Sequence, residues 1–223
     1  MVAPSLLRTY RLLRARFGPA GWWPGESAFE VCLGAILTQN TAWSNVEKAL
    51  SALRSRGLLT FERLSRVHPA RLAFLLRPSG TYNVKARRVG AFLRFLRTEY
   101  AGRVDAMGRE DAGALRRKLL AVPGIGPETA DVVALYAALK PLFVVDAYTR
   151  RILGRLGHLA GDESYEDVQR FFMRRLPRDP ALFNDYHAQI VRLGKEACRA
   201  RPLCERCPLE RLCPKRGVDA TRS

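Results

Sequence analysis

Four cysteines fall in the last 26 residues of this 223-residue chain, Cys198, Cys204, Cys207 and Cys213, in a C-x5-C-x2-C-x5-C arrangement. No signal-peptide pattern opens the chain, and a two-residue gap between Cys204 and Cys207 suits a shared ion better than a disulfide. The donor set fits either one tetrahedral Zn²⁺ or a [4Fe-4S] cluster, and spacing does not choose between them. Arg199, Arg201, Arg206 and Arg211 are interleaved with the ligands, so a metal-braced loop here presents positive charge suited to phosphate. The fifth cysteine, Cys32, lies in an apolar run and reads as a buried, inert thiol.

A carboxylate and a glycine turn are the other chemical candidates. The apolar run Leu142-Phe143-Val144-Val145 ends at Asp146, and a helical pattern follows. Asp146 reads either as a plain helix N-cap or as a carboxylate kept ionised beside apolar residues for electrostatic or general-base work. Upstream, Leu115–Val122 and Thr129–Leu139 carry helical apolar spacing on either side of Pro123-Gly124-Ile125-Gly126-Pro127. So short a turn implies an antiparallel helical hairpin. It is either an ordinary turn or, through the amides that open its second helix, a phosphate site.

The elements that must position these groups are helices. Ala28–Leu37 is nearly continuous apolar sequence, Val46, Leu50 and Leu53 extend another helix, and Tyr82–Tyr100 is long and amphipathic. Ser164 opens a helix with Asp167 in the capping-box position. Leu6–Phe17 reads as a first helix rather than a leader, and Phe143–Val145 is the only patch with strand character. The fold class is all-α, with about ten helices. The longest apolar stretch, Val132–Leu139, is far short of the ~20 residues a membrane span needs. The formal charge of +17 points instead to a polyanion. Only six of the 38 basic residues are lysine, which favours bidentate phosphate contacts.

The segment Leu120–Arg151, LAVPGIGPETADVVALYAALKPLFVVDAYTRR, followed by the four cysteines, resembles the helix-hairpin-helix DNA glycosylases of the endonuclease III family. The resemblance extends to Gly34-Ala35-Ile36-Leu37-Thr38-Gln39-Asn40-Thr41 and to Tyr82-Asn83-Val84-Lys85-Ala86. It implies a six-helix barrel over residues 26–136, including the hairpin at about 115–139. A second helical domain, 1–25 with 137–223, would carry the cluster loop 198–213, and DNA would lie across the groove between the domains. It implies a [4Fe-4S] cluster on the four cysteines, although the first cysteine spacing is one residue shorter than the usual pattern. Asp146 matches the catalytic aspartate, Gly124 and Gly126 the glycines whose amides hold a phosphate, and Gln39 the residue that fills the gap left by a flipped base. Ile125, Thr129 and Arg150 join the expected DNA contacts.

The chain departs from the family at two positions. Glu128 stands where bifunctional members carry the lysine that forms a Schiff base, and a carboxylate cannot form an imine. A monofunctional glycosylase is expected. Thr81 stands where endonuclease III has an apolar wedge. The run Gly21-Trp22-Trp23-Pro24, with Trp43 after Asn40-Thr41, resembles a subgroup that excises 3-methyladenine, which makes Trp22, Trp23, Trp43 and Asn40 the candidate base pocket. An alkylated purine is cationic and stacks on indole; core packing is the other use of these tryptophans. Two further functions compete: a bifunctional endonuclease III acting on oxidised pyrimidines, and a non-catalytic binder of damaged or abasic DNA. The expected partner is damaged double-stranded DNA and no membrane. The expected state is a cytoplasmic monomer, nucleoid-associated if bacterial.

Overall fold

The computed structural model describes residues 3–20 and 25–218. Eleven α-helices occur among them: α1 (Leu6–Phe17), α2 (Ala28–Leu37), α3 (Trp43–Arg54), α4 (Phe61–Leu64), α5 (Pro69–Leu75), α6 (Tyr82–Tyr100), α7 (Ala112–Leu120), α8 (Pro127–Val132), α9 (Ala147–Arg155), α10 (Tyr165–Met173) and α11 (Pro180–Glu196). No strand occurs among the described residues, and Phe143–Val145 is irregular. No described helix is long and apolar enough to cross a membrane. The chain divides into two compact units, Trp23–Lys140 and Met1–Trp22 with Pro141–Ser223.

The central unit is built around α2, in which every residue from Phe29 to Leu37 is buried. A helix that is apolar all round can only sit inside others. It contacts α3, α6 and α8. Buried Glu30 is paired with Arg54 of α3. The end of α2 is held by Lys85 of α6, which is 1% exposed. Its ammonium donates to Leu37 O at 2.7 Å and to Ser79 O. Burial pulls its pKa below the ordinary lysine value, and the two carbonyls satisfy the charge that remains.

The hairpin's second helix is shorter than its apolar spacing predicts. After α8 the chain widens into a π turn, Val133–Ala137, in which Ala138 N–H donates to Val133 O, five residues back. Leu139 then takes a left-handed φ of 55° and ends the helix.

In the other unit α11 lies against α1 and α9. A Cβ at Gly194 would collide with Tyr148, so glycine is what lets α9 and α11 approach closely. Phe143 stacks on Phe172 of α10 at 3.7 Å between ring centroids and meets Phe183 and Tyr186 of α11 edge-on. The buried run Leu142–Val145 thereby delivers Asp146 to the start of α9. Ser164 and Asp167 form the capping box expected for α10.

Candidate functional site

The hairpin turn depends on Gly124, whose φ of 88° only glycine adopts without strain and whose missing Cβ makes room for the Arg88 side chain. Gly126 is the N-cap of α8, and no side chain caps that helix start. Ile125 is buried and its amide is spent on Val122 O, so its side chain is not a surface contact. Gln39, just past α2, donates to Gly124 O at 3.1 Å and to Thr129 Oγ1 at 2.8 Å, while its Oε1 accepts from Arg88. Both ends of the amide are therefore engaged, and Gln39 ties α2 to the hairpin. Thr129 is buried behind it. Gln39, Asn40, Arg88, Gly124 and exposed Glu128 line one cavity of about 570 Å³.

Asp146 caps α9: its Oδ1 accepts from Thr149 N at 2.7 Å and Thr149 Oγ1 at 2.8 Å. Its Oδ2 faces His187 Nε2 of α11 at 3.6 Å. Burial opposes the charge on this carboxyl, but His187 and then Thr149 outweigh it and hold the group below the usual carboxylate range. The result is a half-buried carboxylate that stays ionised, with Oδ1 fixed and Oδ2 turned towards a ring nitrogen. Arg150, one turn on, donates to Glu163 O at 2.8 Å.

The four C-terminal cysteines are free of disulfides. Arg155, in the last turn of α9, donates to Cys198 Sγ at 3.2 Å and to the carbonyls of Arg199 and Ala200. Lys215 N–H donates to Cys213 Sγ at 3.4 Å. Burial, aided by the neighbouring thiols, pushes the Cys207 thiol up to about 11. Sulfurs that feel one another and accept N–H bonds are the donor set a thiolate-bound group needs. Among the described residues, no three His, Cys, Asp or Glu side chains converge as a single-ion site.

Trp43 opens α3, and its ring N–H donates to Glu47 Oε1 at 2.8 Å. It lines a cavity of about 460 Å³ with Glu26, Glu30, Glu47 and Arg54. Asn40, which the sequence groups with Trp43, lines the hairpin cavity instead. Trp22 and Trp23 lie outside the described residues. Thr81 is exposed with a left-handed φ of 37° at the start of α6. Sequence reasoning did not find Arg88 or His187. The only available signal for His187 was rarity, since the chain has three histidines.

An all-helical chain with a glycine hairpin, a capped carboxylate and a cysteine loop defines a helix-hairpin-helix protein of DNA processing. Residues 33–178 match the HhH-GPD superfamily of base excision DNA repair proteins; the chain belongs to that superfamily, on its endonuclease III branch, and is a DNA N-glycosylase. It is 40% identical over 210 residues to a provisionally named DNA repair glycosylase of Methanocaldococcus jannaschii, spanning 93% of this chain and 95% of that one. Among solved structures it is similar to an endonuclease III in a non-covalent DNA complex, with TM-score 0.81, 26% identity and 94% of each chain covered. It is also similar to a 3-methyladenine DNA glycosylase of H. pylori bound to 1,N6-ethenoadenine, with TM-score 0.76, 28% identity and 86% and 98% covered. The endonuclease III complex supports DNA as the ligand.

Proposed function

We propose that this glycosylase is monofunctional and releases alkylated purines from duplex DNA. The observation that carries the reading is Asp146, kept anionic by His187 and Thr149 against its burial. As the C1′–N bond breaks, its electron pair leaves with the base and positive charge builds on the sugar. An anion fixed in advance stabilises that charge. A water then adds to C1′ and its proton passes to the Oδ2 side of the carboxylate. The products are a free base and an abasic site.

Glu128 supports the monofunctional part, because it offers no amine to the sugar. The Trp43 cavity supports the choice of base. Trp43 lines it together with three carboxylates and one guanidinium, an excess of acid in a chain of charge +17, with Glu26 and Glu30 paired to Arg54 and Glu47 accepting from the ring N–H. A cationic, flat purine is favoured by both the charge and the ring. Cys198, Cys204, Cys207 and Cys213 fit a [4Fe-4S] cluster in chemistry, and such a group would brace the arginine-bearing loop and α9's last turn through Arg155.

The test is an excision panel on duplexes carrying 3-methyladenine, thymine glycol, uracil or an abasic site. Base loss is read after alkali, and strand cleavage without it. Release of 3-methyladenine that needs alkali to reveal a break is expected. Preferential release of thymine glycol with spontaneous nicking would overturn both parts of the reading. Binding without any base release would indicate a non-catalytic binder.

A further inference from the structure

A second basic surface lies on the same unit as the hairpin. On α6, Asn83, Arg87, Gly90 and Arg94 recur at intervals of four, three and four, so they share one face of the helix. That face and α5 enclose a groove of about 820 Å³. Small residues, Ala70, Ala73 and Gly90, are among its lining, and it carries Arg87, Arg88 and Arg94. No carboxylate lines it, and among the described residues none of these three arginines has an ion-pair partner. The groove also reaches Pro123 and Gly124, which makes it continuous with the hairpin turn.

We infer that this groove is a second track for the phosphodiester backbone of the duplex, away from the damaged nucleotide. Guanidiniums left without counter-charges bind phosphate in bidentate fashion, and a lining of alanine and glycine lets a backbone come within their reach. Arg87 and Arg94 stand seven residues apart, about 10.5 Å along the helix axis. That span matches about three nucleotide rises of one strand. The surface would add affinity without sequence or lesion preference, which is what phosphate contacts do. The inference rests on duplex DNA being the substrate.

The test measures binding and excision on a duplex of about one helical turn and on one of about two and a half turns, each over a range of salt concentrations. Arg87→Ala/Arg94→Ala is expected to weaken binding of the long duplex and to lower the slope of log K against log salt by roughly two. Binding of the short duplex and excision from it should not change. Gly90→Leu keeps every charge but fills the groove, because a Cβ there meets nothing nearer than Arg94 Nη1 at 3.7 Å. It should weaken the long duplex as well, with helix stability retained. An unchanged Kd and salt slope in the double variant would overturn the groove while leaving the proposed function intact; an acidic protein segment would then be the occupant to seek. Equal loss on both duplexes, with lost excision, would also overturn it by assigning the arginines to the lesion site. Failure of the wild-type chain to bind either duplex would instead sink the DNA reading itself.

Discussion

His187 Nε2 lies 3.6 Å from Asp146 Oδ2, and the two residues reach each other from α11 and the start of α9. The contact is too long for a tight hydrogen bond but sets a ring nitrogen directly against the carboxylate. With Thr149 holding Oδ1, it favours the ionised carboxyl against burial, which pushes the pKa the other way.

Removing His187 should therefore raise the pKa of Asp146. A carboxylate whose folded pKa is depressed contributes stability that is present above its unfolded pKa and lost as pH falls through the folded one. In His187→Gln the acid limb of kcat/KM should move to higher pH, and thermal stability at pH values above the carboxylate range, where the depressed pKa contributes, should fall. An unmoved acid limb would show that His187 does not set the ionisation of Asp146.

Asp146→Asn keeps an oxygen for the Thr149 cap but loses the charge. Helix α9 should persist, since Asn is as good an N-cap as Asp. Excision should fall by about 100-fold or more, because an electrostatic group aimed at developing charge is typically worth that much. Single-turnover base release together with a melting curve checks both halves.

Borohydride should trap no covalent adduct between the wild-type chain and DNA. Glu128→Lys places an amine at the position where bifunctional relatives have one, and a trapped adduct should appear, mapped to residue 128. Efficient trapping of the wild-type chain would refute the monofunctional reading.

Lys85→Ala should destabilise the fold by roughly 3 kcal/mol, because it strands the buried carbonyls of Leu37 and Ser79. Gln39→Ala should cost less, about 1 kcal/mol, since its partners lie closer to water. Chemical denaturation separates the two. A larger effect at Gln39 than at Lys85 would mean that the hairpin, rather than the buried amine, holds the end of α2.

Cys204→Ser and Cys207→Ser should lose bound iron, which the wild-type chain is expected to carry at about four atoms per chain. The visible absorption of the preparation should vanish with it. Zinc in place of iron in the wild type would reverse the assignment without changing the ligands.

Much of this molecule was legible along the chain. Helix α6 runs from Tyr82 to Tyr100 as its spacing predicts, Asp146 and Ser164 cap the helices that follow them, and Gly124 marks the turn. Such features are encoded within one or two turns of helix, because capping and amphipathic burial depend on neighbours three or four residues away. The family motifs were equally local, and they carried the endonuclease III resemblance on their own.

What the tertiary structure decided are contacts between residues distant in sequence. It bound Gln39 to Arg88, Gly124 and Thr129, brought His187 to Asp146, buried Lys85 against Leu37 and Ser79, and put Asn40 and Trp43 in separate cavities. Each of these depends on the path of the backbone between the partners, and the His187–Asp146 pair depends also on α9 and α11 approaching as closely as Gly194 permits at Tyr148. Residue type and local spacing carry no record of that path, so the sequence could name Asp146 but not the histidine that keeps it charged.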